Sequence, residues 1–144
     1  MRNLAREICF KAMFSKQFAL NENVLVDLYE EFGLTDKADI AFCEQLYTLW
    51  ENNSVEIDSM ISENLKGYAI DRVYKVDLVL LELAITEIYY YKETPLAVVI
   101  NEIVSMAKKY STEKSYSFIN GFLKGINKDK WWKKRYLLLN YQIM

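Results

Sequence analysis

Histidine is absent from the 144-residue chain, and cysteine occurs only at Cys9 and Cys43. These shortages exclude zinc clusters, Cys-His nucleophiles, Ser-His-Asp triads and imidazole bases. Both cysteines sit among apolar residues at helical spacing. That predicts small buried hydrophobes rather than a disulfide or a reactive thiol, in keeping with a reducing cytoplasm. Four glycines and one proline are too few for a turn-rich β-sandwich or a long flexible linker. No apolar run approaches the roughly 18 residues a membrane span requires. The opening MRNLAREICFKAMF is charged and amphipathic, without the apolar stretch and small-residue cleavage site of a signal peptide. Glycine-rich phosphate loops and dinucleotide fingerprints are missing too. The expectation is a soluble, cytoplasmic chain that needs no cofactor.

What the sequence does contain is apolar material: 52% hydrophobic residues, with 15% aromatics, are enough for the core of one domain. The net charge of -2 conceals an asymmetry, because residues 1 to 72 hold seven basic and thirteen acidic side chains and residues 73 to 144 hold eleven and seven. From Lys108 to Arg135 nine basic residues face two acidic ones, a local +7 suited to an anionic partner.

Apolar residues recur at the 3.6-residue period along most of the chain and predict an all-α fold of about seven helices. Asn3 caps the first, whose stripe is Leu4, Ile8 and Ala12, with Phe10, Phe14 and Phe18 forming an aromatic row beside it. Leu25, Leu28, Tyr29 and Phe32 mark a second that Gly33 ends. Thr35 caps a third carrying Ala38, Phe42, Leu46, Tyr47 and Trp50, and Asn53-Ser54 separates it from a fourth with Ile57, Ile61 and Leu65. Lys66-Gly67 and a turn around Asp71 lead into a fifth, from Val76 to Ile88, apolar on most sides and so central in a bundle. Thr94-Pro95 reads as a cap and first-turn proline for a sixth, with Ile100, Ile103, Val104 and Ala107 inside. Ser111 or Thr112 caps a seventh, in which Gly121 carries a helix penalty of about 1 kcal/mol that close approach of another helix would explain. Residues 1-126 form the helical domain, and residues 127-144, with five basic residues and two tryptophans, form an extension.

Glu87 and Glu102, near Asn101 and Lys108, are the best candidates for acid-base chemistry, but helical context favours structural roles. Glu87 would accept from a buried amide, and Asn101 and Glu102 would pair with the chain entering a neighbouring helix. The chain is therefore not expected to be an enzyme. The basic run interleaves Lys109 and Lys114 with Tyr110, Tyr116 and Phe118, the combination of charge and ring faces that holds unpaired RNA bases. Phe118 serves either that surface or the core.

The segment TPLAVVINEIVSMAKKYSTEKSYSFINGFL resembles the C-terminal signature of the NusB family of transcription antitermination factors, through Pro95, Ile100, Asn101, Glu102, Ala107, Lys108, Lys109, Phe118, Asn120, Gly121 and Leu123. Ala5, Arg6 and Glu7 resemble the family's A-R-E opening, and VDLVLLELAITEI, with Glu87, its central helix. The likeness covers about residues 2 to 126. It implies two three-helix bundles and a non-enzymatic factor that pairs with ribosomal protein S ten (NusE) and binds boxA-type RNA in nascent ribosomal RNA transcripts. Other Nus factors and RNA polymerase would be engaged indirectly. By position it implies RNA contacts from Arg2, Arg6 and Phe118 and a protein-partner surface at Phe14 and Asp77; Lys109 and Lys114, from the basic run, are expected to join the RNA contacts. Lys114 stands where the family often has an acidic residue. A rival expectation is a module that homodimerises through Phe10, Phe14 and Phe18 without binding RNA.

Overall fold

The computed structural model describes residues 2–16 and 24–126; Phe18 and the extension 127–144 lie outside the described residues. The described residues form helices joined by short loops, with no strand among them: α1 (Arg2–Lys16), α2 (Val24–Phe32), α3 (Lys37–Asn64), α4 (Lys75–Ile85), α5 (Leu96–Tyr110) and α6 (Glu113–Gly125). The α-helices number six instead of seven because the expected third and fourth are one. The break at Asn53 is a kink (φ -125°, ψ 17°), where the Asn53 side chain donates to the Leu49 carbonyl at 2.7 Å. A side chain competing for the carbonyl four residues back bends a helix without ending it.

Helix ends follow local chemistry, in places shifted from expectation. Gly33 (φ +69°) closes α2, with Gly33 N–H donating to Glu30 O and Leu34 N–H to Tyr29 O. This pair of bonds is the left-handed glycine cap read from the sequence. The cap of α3 is Asp36, not Thr35; its carboxylate accepts from Asp39 N–H at 3.0 Å. Pro95 is the cap residue of α5 in place of Thr94, since its extended ψ of 140° lies outside the helix while its carbonyl accepts from Val98 and Val99. Thr112 caps α6, accepting from Ser115 N–H at 3.1 Å. Asn3 lies inside α1 and accepts from Arg6 instead of capping.

α4 is the central helix: every residue from Asp77 to Ile85 is buried, as a pattern apolar on most sides predicts. It packs against α1, α3, α5 and α6. Phe42, Leu46, Trp50, Ile57 and Ile61 of α3 and Ile8, Phe10 and Met13 of α1 complete the core. Ala38, expected inside, is exposed, and in α2 only Tyr29 is buried while Phe32 lies on the surface. Cys9 and Cys43 are free and buried, as expected. Gly121 departs from expectation, because it is exposed and a Cβ there would meet nothing within 4 Å. Asn101 is likewise exposed.

One polar cluster is buried between α3 and α4. The Glu82 carboxyl, 4% exposed, receives Trp50 Nε1–H at 3.5 Å and lies beside Asp58. Burial, reinforced by the facing Asp58 carboxyl and only partly offset by Trp50 and Lys75, pushes Glu82 up to about 9. Glu82 is thus protonated in the fold and ionised in the unfolded chain across neutral pH. The unfolded state then binds fewer protons, so this group's contribution is full below the ordinary carboxyl range and is lost as pH rises toward about 9. Glu82→Gln should therefore gain stability relative to the parent between pH 5 and pH 9, measured as the difference in urea midpoints at the two values.

Candidate nucleic-acid interface

Beyond Ile85, α4 widens into a π-helical turn, Thr86–Tyr91, closed by Lys92 in the left-handed region (φ 67°). Thr86 Oγ1 donates back to the Glu82 carbonyl at 2.7 Å, and Lys92 N–H closes onto Glu87 O at 3.0 Å. The turn holds the Glu87 carboxylate against α1. There Arg6 meets it in a two-bond fork, Nε to Oε1 and Nη2 to Oε2, both 2.7 Å, with the two side chains 3% and 0% exposed. Burial alone would lower the Arg6 pKa, but the Glu87 bonds outweigh it and the guanidinium is held more firmly protonated. Arg6 Nη1–H goes to Asn3 Oδ1, and the guanidinium lies over the Phe42 ring at 5.3 Å.

This arrangement corrects two readings. Glu87 is satisfied by an arginine, not an amide. Arg6, expected at the RNA, is turned into the core with its forked face occupied, because a buried carboxylate demands a charge-matched donor. Arg2 is exposed nearby, over Phe42 at 4.8 Å and Tyr91 at 5.9 Å.

The other expected residues fall in separate places. Lys109 is 58% exposed and reaches Glu7 at 3.0 Å, an exposed pair that adds little to stability and leaves the ammonium accessible. They line a cleft with Asn3, Glu102, Ser105 and Met106. Lys114 and Phe118 come together elsewhere, in a cleft of about 160 Å³ between α6 and the loop preceding α4. Asp77 lines it too, 5% exposed and accepting from Ser111 Oγ at 2.6 Å, although the sequence reading had paired it with Phe14. Phe14 packs beside Phe10, which lies on Tyr110 at 5.3 Å. The path from Phe14 to Asp77 thus runs through Phe10, Tyr110 and the neighbouring Ser111.

The same cleft contains Tyr68, Arg72 and Tyr74, which sequence reasoning passed over as part of a turn. Tyr68 and Tyr74 are 40% and 57% exposed, and the Tyr68 ring stands 6.1 Å from Phe118. Their signal was legible: Lys66, Tyr68, Arg72 and Tyr74 alternate cations and rings within a stretch too short to bury them. Cations beside exposed rings can hold a phosphate chain while bases stack. Phe118 itself is half-buried, at the core's edge rather than within it.

The model of the NusB family matches residues 2–128. This chain belongs to the NusB family. Among its relatives, the transcription antitermination protein NusB of Clostridium botulinum is 38% identical over 130 residues, covering 88% of this chain and 98% of that protein. The transcription antitermination protein NusB of Listeria innocua is 42% identical over 125 residues, 87% of this chain and 94% of that one. Of solved structures, T. maritima NusB superposes with a TM-score of 0.78 at 31% identity, covering 86% of this chain and 88% of that one. A chain from a crystal structure of antitermination factors NusB and NusE in complex with dsRNA does so at 0.78 and 28%, over 85% and 92%.

Removing one partner of the Arg6–Glu87 pair should leave an uncompensated buried charge. Arg6→Met is expected to cost about 3–5 kcal/mol in urea unfolding, and the double variant with Glu87→Leu to recover most of it.

Proposed function

We propose that this chain is a non-catalytic transcription antitermination factor that pairs with ribosomal protein S ten (NusE) and binds boxA-type RNA in nascent ribosomal RNA transcripts. The single observation that carries the RNA reading is the cleft that assembles Lys114, Arg72, Tyr68, Tyr74 and Phe118 from α6 and the loop before α4. Its chemistry suits single-stranded RNA: cations for phosphate, rings for bases. The names of the family's curated members and the solved NusB–NusE–dsRNA assembly support the same function and partners. In this reading Arg2, Lys109, Lys114 and Phe118 contact RNA, and Arg6 acts indirectly by fixing the start of α1. Phe14 belongs to the protein-partner surface, while Asp77 sits where the two surfaces meet. The helices group as two three-helix bundles, α1–α3 and α4–α6, and residues 127-144 carry five further basic residues, charge that favours an anionic partner. No helix among the described residues is long and apolar enough to cross a membrane, and the factor works in the cytoplasm with the transcription machinery. Homodimerisation through the phenylalanine row is less well supported, because Phe10 is buried against Tyr110.

Titrating boxA-type and scrambled RNA against the chain, alone and with purified S ten protein, at two salt concentrations, tests this. Tighter binding of the boxA sequence, enhanced by the partner and weakened by salt, is expected; equal binding of both RNAs throughout would refute specific recognition. Phe118→Ala should weaken RNA binding by about 5- to 100-fold, the range for loss of one base-stacking ring. Its effect on stability should stay below the roughly 3–5 kcal/mol of a fully buried phenylalanine.

A further inference from the structure

A second recess opens on the other side of Phe118, away from Lys114. It encloses about 290 Å³, with Lys66 and Tyr68 on one wall, Phe118 and Phe122 on the other, and Gly121 and Gly125 at the α6 face. Tyr68 and Phe118 line both this recess and the Lys114 cleft, so the two adjoin across these rings. Their rings are 6.1 Å apart, and Phe118 and Phe122 are 6.2 Å apart, giving three aromatic groups in succession across the junction. Among the described residues that line the recess none is a carboxylate, and the one charged residue is Lys66. Packing among the described residues does not require a glycine at 121, since a Cβ there would meet none of them within 4 Å.

We infer that this recess is a second nucleobase subsite, which takes the nucleotide adjacent to the one held at Phe118 in the same RNA strand. The inference rests on the RNA-binding reading above and extends it. Three features favour RNA as the occupant: the recess adjoins the cationic cleft, it offers ring faces rather than a purely aliphatic surface, and its lysine suits a polyanion. The base lies among Tyr68, Phe118 and Phe122, and Lys66 meets the phosphate. Stacking accepts any base, so the subsite contributes affinity and strand register more than sequence choice. Gly121 keeps the α6 side of the recess open.

The test uses the full chain with S ten protein and boxA-type RNAs in which 2-aminopurine replaces one base at a time. One position next to the Phe118-sensitive base should change fluorescence on binding. Gly121→Leu, which fills the recess with a better helix former, should abolish that change and weaken binding by about 5- to 100-fold while unfolding no more easily than the parent. Tyr68→Ala should do the same and Tyr68→Phe should not. If the parent binds RNA and Phe118→Ala and Tyr68→Ala weaken it, but Gly121→Leu binds as the parent does, the subsite is refuted and the general RNA reading stands. If Gly121→Leu instead impairs only association with S ten protein, the recess is a protein-docking site and the proposal falls. A parent that binds no RNA overturns both.

Discussion

The forked ion pair between Arg6 and Glu87 is the constraint around which the functional surface is arranged. A carboxylate with no solvent exposure is tolerable only with a donor that matches both its oxygens, and arginine alone among side chains offers that geometry with a permanent charge. The pair fixes the rotation of α1 against the π-turn that extends α4. That rotation sends Ile8, Cys9 and Met13 into the core and leaves Arg2 and Lys11 at the surface, where both cations rest on aromatic rings. The positive charge that the sequence advertises at its start is thus only partly available to a ligand.

What replaces it is assembled at the far side of α4. Asp77 lies in the first turn of that helix and is held by Ser111, the first of the two residues between α5 and α6. This bond ties the start of α6, and with it Lys114 and Phe118, to the start of α4. The loop from Leu65 to Tyr74 then supplies Arg72 and two exposed tyrosines to the same cleft. The cleft draws one wall from a loop and the other from a helix, so the bundle sets the spacing of the rings while Tyr68, Arg72, Tyr74 and Lys114 stay exposed at its rim.

The hydrophobic pattern told most of the fold. The central position of α4 followed from its apolar residues on most sides, the glycine cap from Gly33, and the burial of both cysteines from their neighbours, because each depends on interactions within a few turns of one helix. The misreadings have a common origin in longer-range choices. Asn53 looked like a helix boundary because asparagine commonly ends helices, but packing on both sides carries α3 through the kink. Gly121 looked like a close-packing residue, and the structure opens a recess beside it instead.

The sequence by itself determined that the chain is helical, lacks histidine chemistry and carries a basic, aromatic second half, since composition and periodicity are properties of the chain alone. Which charges and rings face outward was decided only by tertiary structure. Arg6 and Lys109 are both cations on amphipathic helices, yet one is enclosed by a carboxylate 81 residues away and the other stands at the surface beside Glu7. Tyr68 and Phe118 become neighbours only when the loop before α4 folds over α6. Helical spacing specifies a side chain's direction from its own axis, whereas its partner is set by how the axes pack.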